Sequence, residues 1–184
     1  MANNIGELSL EAVDDCKPDI LRTFNCHSAE NSEYFYDFLN DPQTILDQGK
    51  SAWTYVLLNY GAGTGTSDCV GFFSFKFKNY VKTASMPKWL LGFSEPVIRA
   101  WVSHFAISED YRGQHLMGVL IRALFEKVLE VEPDTTFIQL QSTPMALELY
   151  IHFGFRAYNE IDLGDDPDKE EGMKVCAITV DDLT

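Results

Sequence analysis

One stretch constrains the fold of this chain more than any other. Pro96 to Ile107 reads as a strand, Tyr111-Arg112-Gly113-Gln114 as a tight turn, and a helix follows at once. Leu116, Leu120, Ala123, Leu124, Val128 and Val131 recur along that helix as one continuous apolar face, and Pro133-Asp134 ends it. A strand joined so closely to a helix with one apolar face implies a sheet for that face to pack on. This places the chain in the mixed α/β (α+β) class.

The other segments agree with that class. Trp53–Tyr60 and Cys69–Lys78 are rich in β-forming residues, and the glycine-rich run from Gly61 to Ser67 predicts a hairpin connection between them. That run has no Gly-Lys-Ser/Thr and opens no helix, so it does not read as a phosphate loop. Phe73, Phe75 and Phe77 alternate with Ser74, Lys76 and Lys78, the pattern of a half-buried antiparallel strand. Upstream, helical spacing runs from Lys17 to Leu21 and again from His27 to Leu39. Asn79 to Glu95 is irregular and apolar, a loop that either packs down or lines a binding site. Downstream, Thr136–Gln141 predicts a short strand. Ser142-Thr143-Pro144 starts a helix that runs to about His152, and Gly154 stops it. Residues 155–161 and 173–180 read as two further strands joined by an acidic loop, 162–172.

Composition sets the outer limits. The 184 residues fit a single domain, 1–184, and 46% apolar with 13% aromatic residues supply a core and argue against disorder. No run approaches the roughly 18 apolar residues of a membrane span, and the first residues lack the pattern of a signal peptide. The net charge of −14 is uneven. Residues 1–50 carry −7 and residues 156–184 carry −6, while residues 51–155 carry only −1. This balance argues against a nucleic-acid partner, because phosphate contacts need clustered Lys and Arg. It reads first as a solvated surface, and second as a flank that attracts a cationic acceptor. Cys16, Cys26, Cys69 and Cys176 are too scattered for a metal knuckle or redox pair and suggest reduced thiols in a cytoplasmic protein. The four histidines form no metal set.

Two stretches carry chemistry. A helix opened directly by a tight turn offers N–H groups without intrahelical partners at the positive end of its dipole, an anion site suited to a diphosphate. Gly113 lets the backbone come close to such a ligand. The second stretch, Ala146 to Phe155, is a helix that presents Tyr150 and ends in Gly154-Phe155.

Together these stretches resemble the GNAT superfamily of N-acetyltransferases. That family combines Arg/Gln-x-x-Gly-x-Gly/Ala at the start of a helix with a later Ala-x-x-Leu-Tyr-x-x-x-Gly-Phe. Here Arg112-Gly113-Gln114 follows Phe105-Ala106-Ile107, and Ala146, Leu149, Tyr150, Gly154 and Phe155 match the second motif throughout. The resemblance spans about residues 50–160. Phe24-Asn25-Cys26, Thr54-Tyr55-Val56 and Val70-Gly71-Phe72 are more loosely similar to the GNAT branch that holds acetyltransferase toxins of toxin–antitoxin pairs. Two residues depart from the pattern. His115 stands where the family has glycine, and Met117 where it has a very small residue; Gly118, one position later, offsets part of that bulk.

The resemblance implies a mixed, mostly antiparallel sheet flanked by helices, with acetyl-CoA as acyl donor and no metal. It implies that backbone groups of Phe105, Ala106 and Ile107 pair with the pantetheine arm. Arg112, Gly113, Gln114, His115, Leu116, Met117 and Gly118 would surround the diphosphate. A primary amine would attack the thioester directly, with Tyr150 as general acid. The strand before the turn has no acid, so His104 is the nearest candidate base, beside a chain of waters or a purely structural role. The acceptor reads as a small-molecule or peptide amine. The alternatives are an aminoacyl-tRNA, as in the toxin-like branch, or a non-catalytic domain that binds acyl-CoA or a partner protein. A homodimer stays open.

Overall fold

The computed structural model of the chain describes residues 5–16, 18–21, 23–24, 52–61, 67–80, 92–93, 96–158 and 174–183. The strands are β1 (Glu7–Ala12), β2 (Trp53–Tyr60), β3 (Ser67–Tyr80), β4 (Val97–Ile107), β5 (Phe137–Ser142), β6 (Arg156–Tyr158) and β7 (Lys174–Thr179). The α-helices are α1 (Pro18–Leu21), α2 (Leu116–Val131) and α3 (Leu147–His152). The strands form one sheet in the order β1-β2-β3-β4-β5-β7-β6. β4 and β5 are parallel, while β1/β2, β2/β3, β5/β7 and β6/β7 are antiparallel, so the sheet is mixed and mostly antiparallel. The parallel pair needs a crossover, and α2 lies within it.

The chain divides into two compact units, Met1–Phe75 with His104–Leu124, and Lys76–Ser103 with Phe125–Thr184. In the first unit, β2 and β3 have two covered faces. Val13, Cys16, Leu21, Phe24, Val56, Leu58, Cys69 and Phe72 form one cluster, with Phe24 edge-on to Phe72 at 5.4 Å between ring centroids. A second, aromatic group centres on Phe73, whose ring lies 5.5 Å from Tyr55, 6.2 Å from Phe75 and 6.4 Å from Phe105. The half-buried pattern expected for β3 therefore does not hold in its middle, where Phe72, Phe73, Ser74 and Phe75 are all buried. Ser74 tolerates this because it sits directly across from Thr54, and their hydroxyls share a hydrogen bond of 2.8 Å. Beyond it Lys76, Phe77 and Lys78 are all half-buried, so burial does not alternate there either.

The pairing slips once. Leu57 faces Gly71 and Leu58 faces Cys69, so Val70 is the extra residue of a β-bulge. Its carbonyl accepts the N–H of Ser108 at 2.8 Å. At Gly71 an added Cβ would lie 2.6 Å from the carbonyl oxygen of Ala106 and 3.3 Å from Leu120 Cδ2. Only glycine permits that approach.

The sequence reading did not anticipate β1. Leu8, Leu10 and Ala12 do alternate with Glu7, Ser9 and Glu11, but the run is six residues long and rich in charge. Such charge suits a strand at the edge of a sheet, where β1 lies.

In the second unit, β5 pairs with residues 99–102 of β4 on one side and with β7 on the other. Val128, Phe137, Ile138, Leu140, Phe155, Val175, Cys176, Ala177 and Ile178 are buried. Phe125 of α2 lies 6.0 Å from Phe155. Arg99 is also buried; its guanidinium donates to Gln139 Oε1 at 3.1 Å and stands over the Trp101 ring.

Cys16, Cys69 and Cys176 are buried free thiols, and burial pushes those of Cys16 and Cys176 up to about 11. Among the described residues no helix is long and apolar enough to cross a membrane. The helix expected over 27–39 lies outside the described residues, with Cys26 and His27. So do residues 62–66 of the glycine-rich run, most of the 79–95 loop and the acidic 162–172 loop.

Candidate functional site

The turn that opens α2 is built by a sequence of local constraints. β4 ends at Ile107, and Ser108 is fastened to β3 through Val70. Glu109–Tyr111 form a single 3₁₀ turn, closed by Tyr111 N–H to Ser108 at 3.0 Å and Arg112 N–H to Glu109 at 3.2 Å. Gly113 then takes φ +74° and His115 φ +60°, both left-handed. A Cβ on Gly113 would meet nothing within 4 Å, so conformation and not crowding selects glycine there. Leu116, buried, begins α2.

The backbone at His115 is left-handed, a conformation that favours glycine. Histidine tolerates that region better than most residues, and here its side chain is exposed. Replacing His115 with glycine is expected to stabilise the fold by about 0.5–1 kcal/mol, raising Tm by about 1–4 °C in a thermal melt.

No N–H from Gly113 to Gly118 takes part in the turn and cap hydrogen bonds of the described residues. The first N–H groups of the sixteen-residue α2 also lack intrahelical partners and lie at its positive end. The face of the turn around Gly113 is open. Donors without acceptors, positive potential and open space together fit an anionic diphosphate. Arg112 is exposed and pairs loosely with Glu109 at 3.4 Å, and Gln114 Nε2 donates to the carbonyl of Asp110 at 3.3 Å. Met117 and Gly118 are half-buried in the first turn of α2.

On β4, His104 and Phe105 alternate in direction. The Phe105 ring joins the aromatic group around Phe73, so His104 points to the opposite face. Both are half-buried, as are Ala106 and Ile107. The second motif lies in the other unit. Residues 144–146 form a turn, with Thr143 Oγ1 accepting the Ala146 N–H at 3.3 Å, and α3 begins only at Leu147, later than the sequence suggests. At its C-terminus Gly154 adopts φ +92°, its N–H bonds Ile151 at 3.0 Å, and the Phe155 N–H bonds Tyr150 at 3.1 Å. This is a Schellman cap, and its customary apolar contact is the edge-on packing of Phe155 against Tyr150 at 5.7 Å. The Leu-Tyr-x-x-x-Gly-Phe spacing is therefore a device for ending a short helix while fixing the tyrosine. Tyr150 is buried. Burial, with a smaller contribution from Cys176, raises its phenol well above the usual range, so the phenol keeps its proton.

The structure thus collects His104, Phe105–Ile107 and Arg112–Gly118 on one continuous segment of the first unit, and places Tyr150 in the second. Tyr111 and the close approach at Gly71 have no signature in the local sequence. Their partners lie tens of residues away in sequence, and no local pattern marks such pairings. Among the described residues no group of three His, Cys, Asp or Glu side chains could hold a metal ion.

No protein-family model and no curated protein matches the sequence. Solved structures do. A bacterial toxin is similar at TM-score 0.69 and 16% identity, covering 97% of this chain and 94% of that one. AtaTR bound with AcCoA is similar at TM-score 0.67 and 16% identity, over 96% and 95% of the two chains. AtaT complexed with acetyl-methionyl-tRNAfMet is similar at TM-score 0.66 and 16% identity, over 95% and 96%. The chain shares the fold of these toxin structures, a mixed and mostly antiparallel seven-stranded sheet with helices.

Proposed function

We propose that the chain is an acetyl-CoA-dependent N-acetyltransferase whose acceptor is the amine of an aminoacyl-tRNA. The observation that carries the first part is the left-handed turn into α2, with its unpartnered N–H groups. The likeness to AtaT complexed with acetyl-methionyl-tRNAfMet supports the second.

Acetyl-CoA, when bound, supplies a thioester carbon open to attack by a neutral amine. The N–H groups from Gly113 to Gly118 would hold the diphosphate, and the backbone of Phe105–Ile107 would align the pantetheine arm. His104 removes a proton from the incoming ammonium, directly or through water. As the C–N bond formed and the C–S bond broke, Tyr150 would give its phenolic proton to the departing thiolate and recover one, directly or through water, from the new amide nitrogen, which carries a surplus proton after the attack. Its raised pKa keeps that proton in place across the working range.

The charge favours a second reading, in which the acceptor is a small or peptide amine. A chain of net charge −14 with a near-neutral middle suits a cationic acceptor better than a polyanion. One experiment separates the two. With labelled acetyl-CoA, transfer to charged tRNA but not to deacylated tRNA supports the tRNA reading. Transfer only to polyamines or peptide amines supports the second. Binding of acetyl-CoA with no transfer to any amine overturns both in favour of a non-catalytic domain.

A further inference from the structure

A hydrogen-bonded chain runs beneath the turn in the first unit. The Gly6 N–H donates to Asn59 Oδ1 at 2.7 Å, Asn59 Nδ2 donates to the Tyr111 hydroxyl at 3.2 Å, and that hydroxyl donates to Asp68 Oδ2 at 2.8 Å. Asn59 is 3% and Tyr111 2% exposed, so water competes little for these bonds. They join the start of β1, the end of β2 and the start of β3 to the residue immediately before Arg112.

Tyr111 stands at the entrance to the anion-binding turn. Only Arg112 to His115 separate it from buried Leu116; Arg112, Gly113 and His115 are exposed and two residues of the four are left-handed. Arg112 and Gln114 bond back to Glu109 and Asp110 of the adjoining 3₁₀ turn, and the segment is tied to the core through Leu116 at one end and through Tyr111 on its polar anchor at the other. We infer that Tyr111, through Asn59 and Asp68, is a positioning residue that presets the anion-binding turn. This rests on the turn being the acetyl-CoA site.

Tyr111→Phe keeps the buried ring and removes the hydroxyl. A turn less well fixed binds the donor more weakly but leaves the reacting groups unchanged. The expected result is a KM for acetyl-CoA about fivefold higher, the equivalent of one ordinary hydrogen bond, with kcat within about twofold of wild type. Asp68→Asn retains an acceptor for the hydroxyl and should stay near wild type. Asp68→Ala, which leaves Tyr111 in place, should resemble Tyr111→Phe. Calorimetric titration with acetyl-CoA, run beside the kinetics, checks the same order of affinities. Wild-type affinity in both Tyr111→Phe and Asp68→Ala overturns the inference alone, as does a fall in kcat with KM unchanged. Failure of the wild-type chain to bind acetyl-CoA overturns the underlying assignment of the turn, and this inference with it.

Discussion

Tyr150→Phe is expected to lower the rate of acetyl transfer by about 100-fold or more, the range in which a positioned general acid contributes. The dissociation constant for acetyl-CoA should not change, because the N–H groups assigned to the diphosphate all lie between Gly113 and Gly118. The fold should survive too. Phenylalanine keeps the ring that packs against Phe155, and the helix cap uses the backbone carbonyl of residue 150, not its side chain. Burial raises the phenol's pKa, so the wild-type rate should show no loss from Tyr150 ionisation as pH rises through the ordinary tyrosine range. Thiol release under saturating donor measures the first effect, and titration calorimetry the second. A variant as fast as wild type would remove Tyr150 from the role of acid.

The second large effect is on stability. Gly71→Ala puts a Cβ 2.6 Å from the Ala106 carbonyl oxygen, which is backbone and not the movable end of a side chain. Either β3 or β4 must shift, and Leu120 at 3.3 Å limits the room to do so. Overpacking of this kind costs about 1–3 kcal/mol, or about 3–10 °C in Tm for a chain of this size. Gly92→Ala is the matched control, since a Cβ there meets nothing within 4 Å. A thermal melt in which the two variants behave alike would mean that β3 and β4 do not depend on a close approach at Gly71. Because Ala106 belongs to the segment assigned to the pantetheine arm, Gly71→Ala should also weaken acetyl-CoA binding, whereas Gly92→Ala should not.

Much of this was readable in the sequence where the determinants are local. The apolar face of α2 repeats within a few turns, and the Gly113 turn lies beside it. The Ala146–Phe155 motif was recognisable because a helix, its cap and the contact that supports the cap all fall within ten consecutive residues. What could not be read was set by partners distant in the chain. Ser74 looks like a solvent-facing residue until Thr54 is placed across from it. Tyr111 looks like an ordinary turn residue until Asn59 and Asp68 reach it. His115 looked like a departure from a glycine pattern. Only the backbone shows that His115 takes the left-handed conformation that favours glycine. The acceptor depends on surfaces for which no short motif exists.

The central claim is that the turn from Arg112 to Gly118 holds an acyl-CoA. Titration of the wild-type chain with acetyl-CoA in a calorimeter tests it most directly. One molecule should bind per chain, free CoA should compete for the same place, and adenosine lacking the diphosphate should not. Absence of any binding heat over a range of temperatures, with no shift of Tm at millimolar acetyl-CoA, would contradict it.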